Sequence, residues 1–428
     1  MRIIFYLLVA GVAGVVSAGG SFAIWKLSHK YRLYPKIRER DVHTRPTPRL
    51  GGLAMFVAIA VAFAVGSQLP PLALIFAAPQ QVYAVLGAAL LIVIIGVVDD
   101  IWDLDWFTKL AGQIIAAGLL AWQGVQIASV PVFGTIALLA PYQSLILTIF
   151  VVVLVMNAVN FIDGLDGLVA GVAIIASSAF FIYGYAISYG PTEQSDYFNL
   201  AQFIAAALIG ACLGFLPFNW RISDARPARL FMGDAGALLV GLLMATSTVA
   251  LAGQIDPETT SATHALPTFI PVILPLAVLI VPIVDFTLAV LRRLRAGKSP
   301  FSADRKHLHH RLLDMGHSHR HAVWIFYAWT TVAAGGMLLL IPAPLWVGAL
   351  VMVTGFLICT IVTLSPLSRR KAVEAAVQLS DPATAADKAL APFDALDAAS
   401  ETIDSAAEPS DAQTDAALRL LNDSKGTA

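Results

Sequence analysis

Charge is in short supply in this chain. Asp, Glu, Lys and Arg make up 13% of its 428 residues, against 58% for hydrophobic residues, and the mean hydropathy is +0.77. That balance excludes an ordinary soluble globular protein. Cysteine is rarer still: Cys212 and Cys359 are the whole complement. Both fall inside apolar stretches, which rules out a disulfide framework and leaves inert buried thiols. No internal repeat of useful period is present, which weighs against a transporter assembled from repeated halves. The most telling scarcity is local. After Arg2, Lys and Arg vanish from every second gap between apolar segments, a pattern hidden by the net charge of -1.

What remains is a series of apolar runs. A span needs roughly 20 residues to cross the hydrocarbon. Eleven candidates occur, at about 3–25, 51–68, 82–98, 107–124, 143–160, 167–187, 199–217, 235–252, 268–291, 322–341 and 344–364. They must be helices, because backbone groups in lipid have to pair within the segment. The runs are continuous, whereas barrel strands would alternate. The first run ends in the small residues Val16 to Gly20, yet it stays apolar through Ile24 and its basic cluster follows it. It reads as an uncleaved anchor and not as a cleaved signal peptide. Eight basic residues lie between Lys26 and Arg49, and eight between Arg292 and Arg320. Basic loops stay in the cytoplasm, so the N-terminus is expected outside and the C-terminus inside. The expected fold is an all-α polytopic integral membrane protein of about eleven transmembrane helices, in the plasma (inner) membrane. The gap 125–142 is apolar and β-branched, a candidate interfacial hairpin. Residues 1–365 form the transmembrane domain. From 366 to 428 the chain turns to Ala, Asp, Glu, Ser and Thr, the composition of a cytoplasmic, mostly disordered acidic tail.

The polar residues that do occur are gathered in the basic gaps. The third run ends in Asp99-Asp100, followed by Asp103 and Asp105. Adjacent carboxylates at a helix C-terminus repel each other and face the negative end of its dipole. They call for a divalent cation or a nearby lysine, and Lys109 is placed to supply part of that. A solvated acidic turn is the plainer reading. Asn157, Asn160 and Asp163 are spaced to share one helical face, and Asp166, Gly164 and Gly167 follow. Polar side chains at this depth mark function or a helix–helix hydrogen-bond seam. Asn219, Arg221, Arg226, Arg229 and Phe231 lead to Asp234, at the start of the eighth run, where simple capping would also explain a carboxylate. Six of the nine histidines lie between His307 and His321. Zinc is one reading of that loop, with Asp304, His307 and His310 as ligands. However, Arg305, Lys306 and Arg311 would oppose a cation, and the same mixture suits a diphosphate. Asp285 lies inside the ninth run, before Arg292, as an ion-pair partner or a polar contact to the site.

Five stretches taken in order resemble the polyprenyl-phosphate N-acetylhexosamine-1-phosphate transferases. They are His43-Thr44-Arg45-Pro46-Thr47-Pro48-Arg49-Leu50-Gly51-Gly52, Asp99-Asp100, Asn157 to Gly167, Phe231-Met232-Gly233-Asp234, and His307-Leu308-His309-His310-Arg311. The phospho-MurNAc-pentapeptide transferase branch usually carries three consecutive histidines. The loop here looks like the WecA/TagO type, which transfers GlcNAc-1-phosphate to undecaprenyl or decaprenyl phosphate.

The resemblance implies an activity and a cofactor. A polyprenyl phosphate attacks the sugar-bearing phosphate of UDP-GlcNAc at the cytoplasmic face, UMP leaves, and Mg²⁺ (or Mn²⁺ in its place) offsets the repulsion between two anions. It implies Asp234 as the Mg²⁺ ligand, and Asp99 and Asp100 as acids that orient or deprotonate the lipid phosphate, with Asp163 and Lys109 also catalytic. Asn157, Asn160, Asp166 and His43 would line the substrate site. Asn219 and Phe231 would contact the uridine, and Arg305, His307, His309, His310 and Arg311 the diphosphate. The partners implied are UDP-GlcNAc, the lipid and the membrane, with no nucleic acid; the oligomeric state stays open, a homodimer included. UDP-MurNAc-pentapeptide as donor, a proton-coupled transporter and a non-catalytic assembly protein are the competing readings.

Overall fold

Most of these segments have apolar side chains all round, so their helices can bury against one another or face lipid but have no polar face to give to water. The structure, a computed structural model, describes residues 2–31, 47–132, 135–188, 196–223, 227–252, 277, 280–295, 297 and 308–365. All belong to the unit Met1–Ser365. The expected acidic tail lies outside the described residues, as do His43, Arg226, Asp304, Arg305, Lys306 and His307.

The helices run α1 (Arg2–Tyr31), α2 (Gly51–Gly66), α3 (Pro79–Trp102), α4 (Trp106–Trp122), α5 (Pro141–Ile162), α6 (Leu168–Ser188), α7 (Asp196–Asn219) and α8 (Gly233–Ala252). Then come α9 (Ile280–Arg295), α10 (Leu308–Asp314), α11 (His319–Leu339) and α12 (Leu345–Leu364). The all-α expectation holds apart from one hairpin, which falls in the gap where it was expected. Its strands β1 (Ser129–Val132) and β2 (Thr135–Leu138) pair antiparallel, with Ser129 opposite Leu138. Ser144 and Thr148 of α5 anchor the chain just before it, at Ile127 O (2.7 Å) and Ile127 N (2.9 Å).

Eight of the described helices are long and apolar enough to cross a membrane, and nine if a bent pair counts as one span. That pair is α2 and the 3₁₀ segment Pro70–Phe76, which meet at 114°. Pro70 and Pro71 cannot continue the hydrogen-bond ladder of α2, so the run expected at 51–68 turns. The expected count was eleven. The run at 107–124 forms α4, which at 17 residues is shorter than a full span. The run at 268–291 lies partly outside the described residues and appears in them as α9.

One helix organises the rest. In α8, 94% of the residues in its apolar window are buried inside the protein, against 11% for α12. Helices α2, α3, α5, α6 and α7 all pack on α8. Two of these contacts are backbone-close. A Cβ at Gly96 of α3 would overlap the Ala235 backbone, and one at Gly52 of α2 would overlap Gly236. These glycines let α2 and α3 meet the first turn of α8 directly, and that turn carries Asp234.

Candidate active site

The site is assembled where α3, α4, α5 and α8 bring their ends together. Residues 48–52 run alongside 231–232 in a short backbone ladder. Phe231 N–H donates to Pro48 O (2.8 Å), Gly51 N–H to Phe231 O (3.1 Å) and Gly52 N–H to Met232 O (3.0 Å). The next residue, Gly233, has φ 71°. Only glycine holds that conformation cheaply, and any Cβ there would strike the Arg49 carbonyl and the Asp100 carboxylate. The chain then enters α8 at once, so Asp234 is fixed in its first turn.

Asp234 is the meeting point. Lys109 Nζ lies 3.1 Å from its Oδ2 and 2.5 Å from Asp99 Oδ2, and so bridges α3 and α8 through one ammonium. Asn160 Nδ2 donates to Asp234 Oδ1 (3.2 Å). The Asp234 N–H points at Asp100 Oδ1 (3.4 Å). Asp99 uses its other oxygen locally, accepting Leu104 N–H (2.7 Å) where α3 ends. That end is sharp: Asp103 takes the left-handed conformation, φ 56°. Two residues on, Asp105 caps α4 by accepting from Thr108 Oγ1 (2.6 Å) and Thr108 N–H (3.0 Å). Those two bonds hold the Asp105 carboxyl below its ordinary range. The turn thereby aims Lys109, one residue further on, back at Asp99. Asp100 Oδ2 is buried with no hydrogen-bond partner. Asp163 is half-buried just beyond α5. Burial pushes its carboxyl up to about 7, with the charges of Asp234 and Asp166 adding to the rise and Arg49 opposing it. A buried cluster of four carboxylates, two of them bridged by Lys109, retains demand for positive charge.

The other residues singled out from the sequence fall into two groups. Asn157 Nδ2 donates to Gln113 Oε1 (2.5 Å) and Val153 O (2.8 Å), a polar seam between α4 and α5. Asp166 Oδ2 accepts Arg221 Nε (2.9 Å) and Ala228 N–H (3.2 Å). The Asn219 amide is engaged twice, by Gly167 N–H (2.9 Å) and Leu230 O (3.1 Å). These contacts bind the α5–α6 loop to the segment between α7 and α8. Phe231, within that segment, is half-buried. In the histidine loop, the described part begins at Leu308, and α10 carries His309, His310 and Arg311. The Leu308 N–H donates to Asp285 Oδ1 (2.9 Å), so Asp285 tethers the start of α10 to α9. Arg311 is exposed and edges an apolar cavity of about 230 Å³ between α9 and α11. Sequence reasoning passed over Gln113 and Tyr327, and placed Trp220 in the cluster with Asn219 and Arg221 without giving it a role. Gln113 had a signal, as a lone amide in an apolar run; Tyr327 had none.

Similarity to known proteins coincides with this geometry. Residues 82–252, which hold Asp99, Asp100, Lys109, Asn160, Asp163 and Asp234, match Glycosyl transferase family 4. The chain is 42% identical over 341 residues to the decaprenyl-phosphate N-acetylglucosaminephosphotransferase of Mycolicibacterium smegmatis, covering 79% of this chain and 82% of that one. It is 43% identical to the enzyme of the same name from Mycobacterium tuberculosis, with the same coverage. At 30% identity over 310 residues, 72% of this chain and 77% of the other, it resembles a probable undecaprenyl-phosphate N-acetylglucosaminyl 1-phosphate transferase of Bacillus subtilis. A likeness of that degree, carried along most of both sequences, places the chain in Glycosyl transferase family 4, among the polyprenyl-phosphate N-acetylglucosamine-1-phosphate transferases.

Proposed function

We propose that this chain transfers GlcNAc-1-phosphate from UDP-GlcNAc to undecaprenyl or decaprenyl phosphate at the cytoplasmic face of the plasma membrane. UMP is released, and the product starts a cell-envelope polysaccharide. One observation carries the reading: Asp99, Asp100, Lys109 and Asn160 converge on Asp234 at the loop ends of a helix bundle, in a chain over 40% identical to proteins named for this transfer. The positive-inside pattern supports the cytoplasmic side, since Lys109 and Arg49 belong to the basic set of gaps.

The residues fit Mg²⁺ bound chiefly through substrate. Among the described residues no group of three or more His, Cys, Asp or Glu is arranged to hold a metal. Mg²⁺ does not need one, since it commonly takes one or two carboxylates and fills its octahedron with phosphates and water. Asp234 would be its direct ligand, with the unpartnered Asp100 Oδ2 beside it. When bound, the ion neutralises charge on the donor diphosphate; Mn²⁺ would serve in the same place.

The rest is done by the chain itself. Asp99 and Asp100 orient the acceptor phosphate and take its proton. A lipid phosphate oxygen forms a bond to the β-phosphorus of UDP-GlcNAc, the bond from that phosphorus to the bridging oxygen breaks, and UMP carries the electron pair away. Lys109 screens the negative charge that gathers between the two substrates. Asn160 and Asp163 line the site. Phe231 meets the uridine, and Asn219 acts there through the loop it holds. His309, His310 and Arg311 approach the diphosphate from α10, with Arg305, His307 and His43 joining from outside the described residues. Purified full-length protein should release UMP from UDP-GlcNAc only with decaprenyl phosphate present, and should stop on exhaustive chelation. UMP release without lipid, full activity without Mg²⁺ and Mn²⁺, or turnover confined to UDP-MurNAc-pentapeptide would each overturn the proposal.

A further inference from the structure

The loop between α5 and α6 ends at Gly167, and every part of that residue is held. Its φ is 81°, a conformation that suits glycine. Its N–H donates to Asn219 Oδ1 (2.9 Å). Its carbonyl accepts the α6 helix bond from Gly171 N–H (3.1 Å) and also the Tyr327 hydroxyl (2.5 Å). Where a side chain would stand, the ring of Trp220 lies, stacked on Tyr327 with centroids 6.5 Å apart and planes at 27°. Asn219 and Trp220 come from the end of α7. Tyr327 reaches in from α11, outside the stretch that matches the family, with Trp324 of the same helix also against the Trp220 ring. Room for it is made on α6: a Cβ at Gly171 would overlap the Tyr327 hydroxyl and ring.

A buried tyrosine hydroxyl needs an acceptor, and here the acceptor is the second lone pair of a loop carbonyl that already closes the first turn of α6. This bond joins residues 160 apart in sequence. The segment it holds, Asp163-Gly164-Leu165-Asp166-Gly167, contains two glycines and no regular structure of its own, so ordering it costs more backbone entropy than usual. The loop also carries Asp163, whose N–H donates to Asn160 O (3.2 Å), and Asn160 Nδ2 in turn donates to Asp234 Oδ1 (3.2 Å). Gly167 holds the far end of the same five-residue loop.

We propose that Tyr327 is a positioning residue for the transfer reaction: by gripping the Gly167 carbonyl it locks the α5–α6 loop and so sets where Asp163 stands against Asp234. The role rests on the activity proposed above. Gly171 is its accessory, since only a residue without a side chain leaves the hydroxyl its path.

The test uses Tyr327→Phe, which keeps the ring and removes the hydroxyl, and Gly171→Ala, which displaces the ring without altering Tyr327. Both are made in the full-length protein and read by UMP release and by amide hydrogen exchange. In both variants turnover should fall roughly tenfold, as expected of a displaced catalytic group. Exchange should quicken about fivefold or more in peptides covering 161–171, with α3 and α8 unchanged. Turnover within about twofold of the unmodified protein overturns the proposal, and so does a loss of turnover without faster exchange in that loop. Exchange accelerated throughout the chain also overturns it, by showing a role in general stability. If the unmodified protein releases no UMP, the activity reading falls by itself, and the exchange measurement alone decides whether Tyr327 holds the loop.

Discussion

Asp234 sits where two explanations overlap. A carboxylate in the first turn of a helix is stabilised by free N–H groups and by the dipole whatever else it does. Capping alone would be served equally by an amide, so Asp234→Asn distinguishes the two. We expect UMP release to fall by about three orders of magnitude, as for loss of a metal-centred charge, with expression and thermal stability near those of the parent. Activity within a few fold of the parent would leave capping as the whole explanation. Lys109 carries a different prediction. Its ammonium touches both Asp99 and Asp234, and Asp99 is almost fully buried. Removing one member of such a pair leaves an uncompensated charge, at a cost of roughly 3–5 kcal/mol. Lys109→Met should therefore lower the melting temperature in metal-free buffer. Added Mg²⁺ should raise it more in the variant than in the parent, because the ion takes over the missing charge. Equal increments in the two proteins would show that the lysine and the ion do not share a role.

The helices owe their mutual placement to a few positions with no side chain. Gly96 allows α3 to touch the first turn of α8, which brings Asp99 and Asp100 within reach of Asp234. Gly96→Val would drive two methyl groups into the Ala235 backbone. Overpacking of this kind costs about 1–3 kcal/mol and here would also separate the carboxylates, so both melting temperature and turnover should drop. A variant that loses neither would mean that α3 finds another way onto α8. The existence of most helices was legible in the sequence, because a long uncharged apolar run has few alternatives in lipid. Their partners were not. Nothing in the run at 235–252 announces that it is the central helix while the more hydrophobic run at 344–364 lies outermost. Hydropathy reports preference for a non-aqueous surrounding and does not separate protein from lipid. The sharp turn after α2 was legible only as a pair of prolines, and its 114° angle depends on what the segment packs against.

The site as a whole was legible to the extent that its residues are expensive. Asp99, Asp100, Lys109, Asn160, Asp163 and Asp234 stand out because charge and amide at the ends of apolar runs demand a reason, and the fold does gather Asp99, Asp100, Lys109 and Asn160 at Asp234. Residues that act through the backbone left no such trace. Tyr327 is an unremarkable aromatic in an apolar run, and its partner is a carbonyl that every residue possesses. The tail from 366 onward holds none of the site's residues, so truncation after Lys371 should leave turnover within about twofold; an inserted but inactive truncated protein would contradict that. The enclosure of α8 has a consequence for how the protein is made. Synthesis delivers the chain from its N-terminus, so α3, α4 and α5 are in place while Asp234 is still inside the ribosome. Until α8 arrives, Lys109 lacks one of its two carboxylate partners, and α2, α3, α5, α6 and α7 lack the helix on which they all pack. A chain ending after α7 would therefore carry Asp99, Asp100, Lys109 and Asn160 without the residue at which the fold gathers them, and should release no UMP.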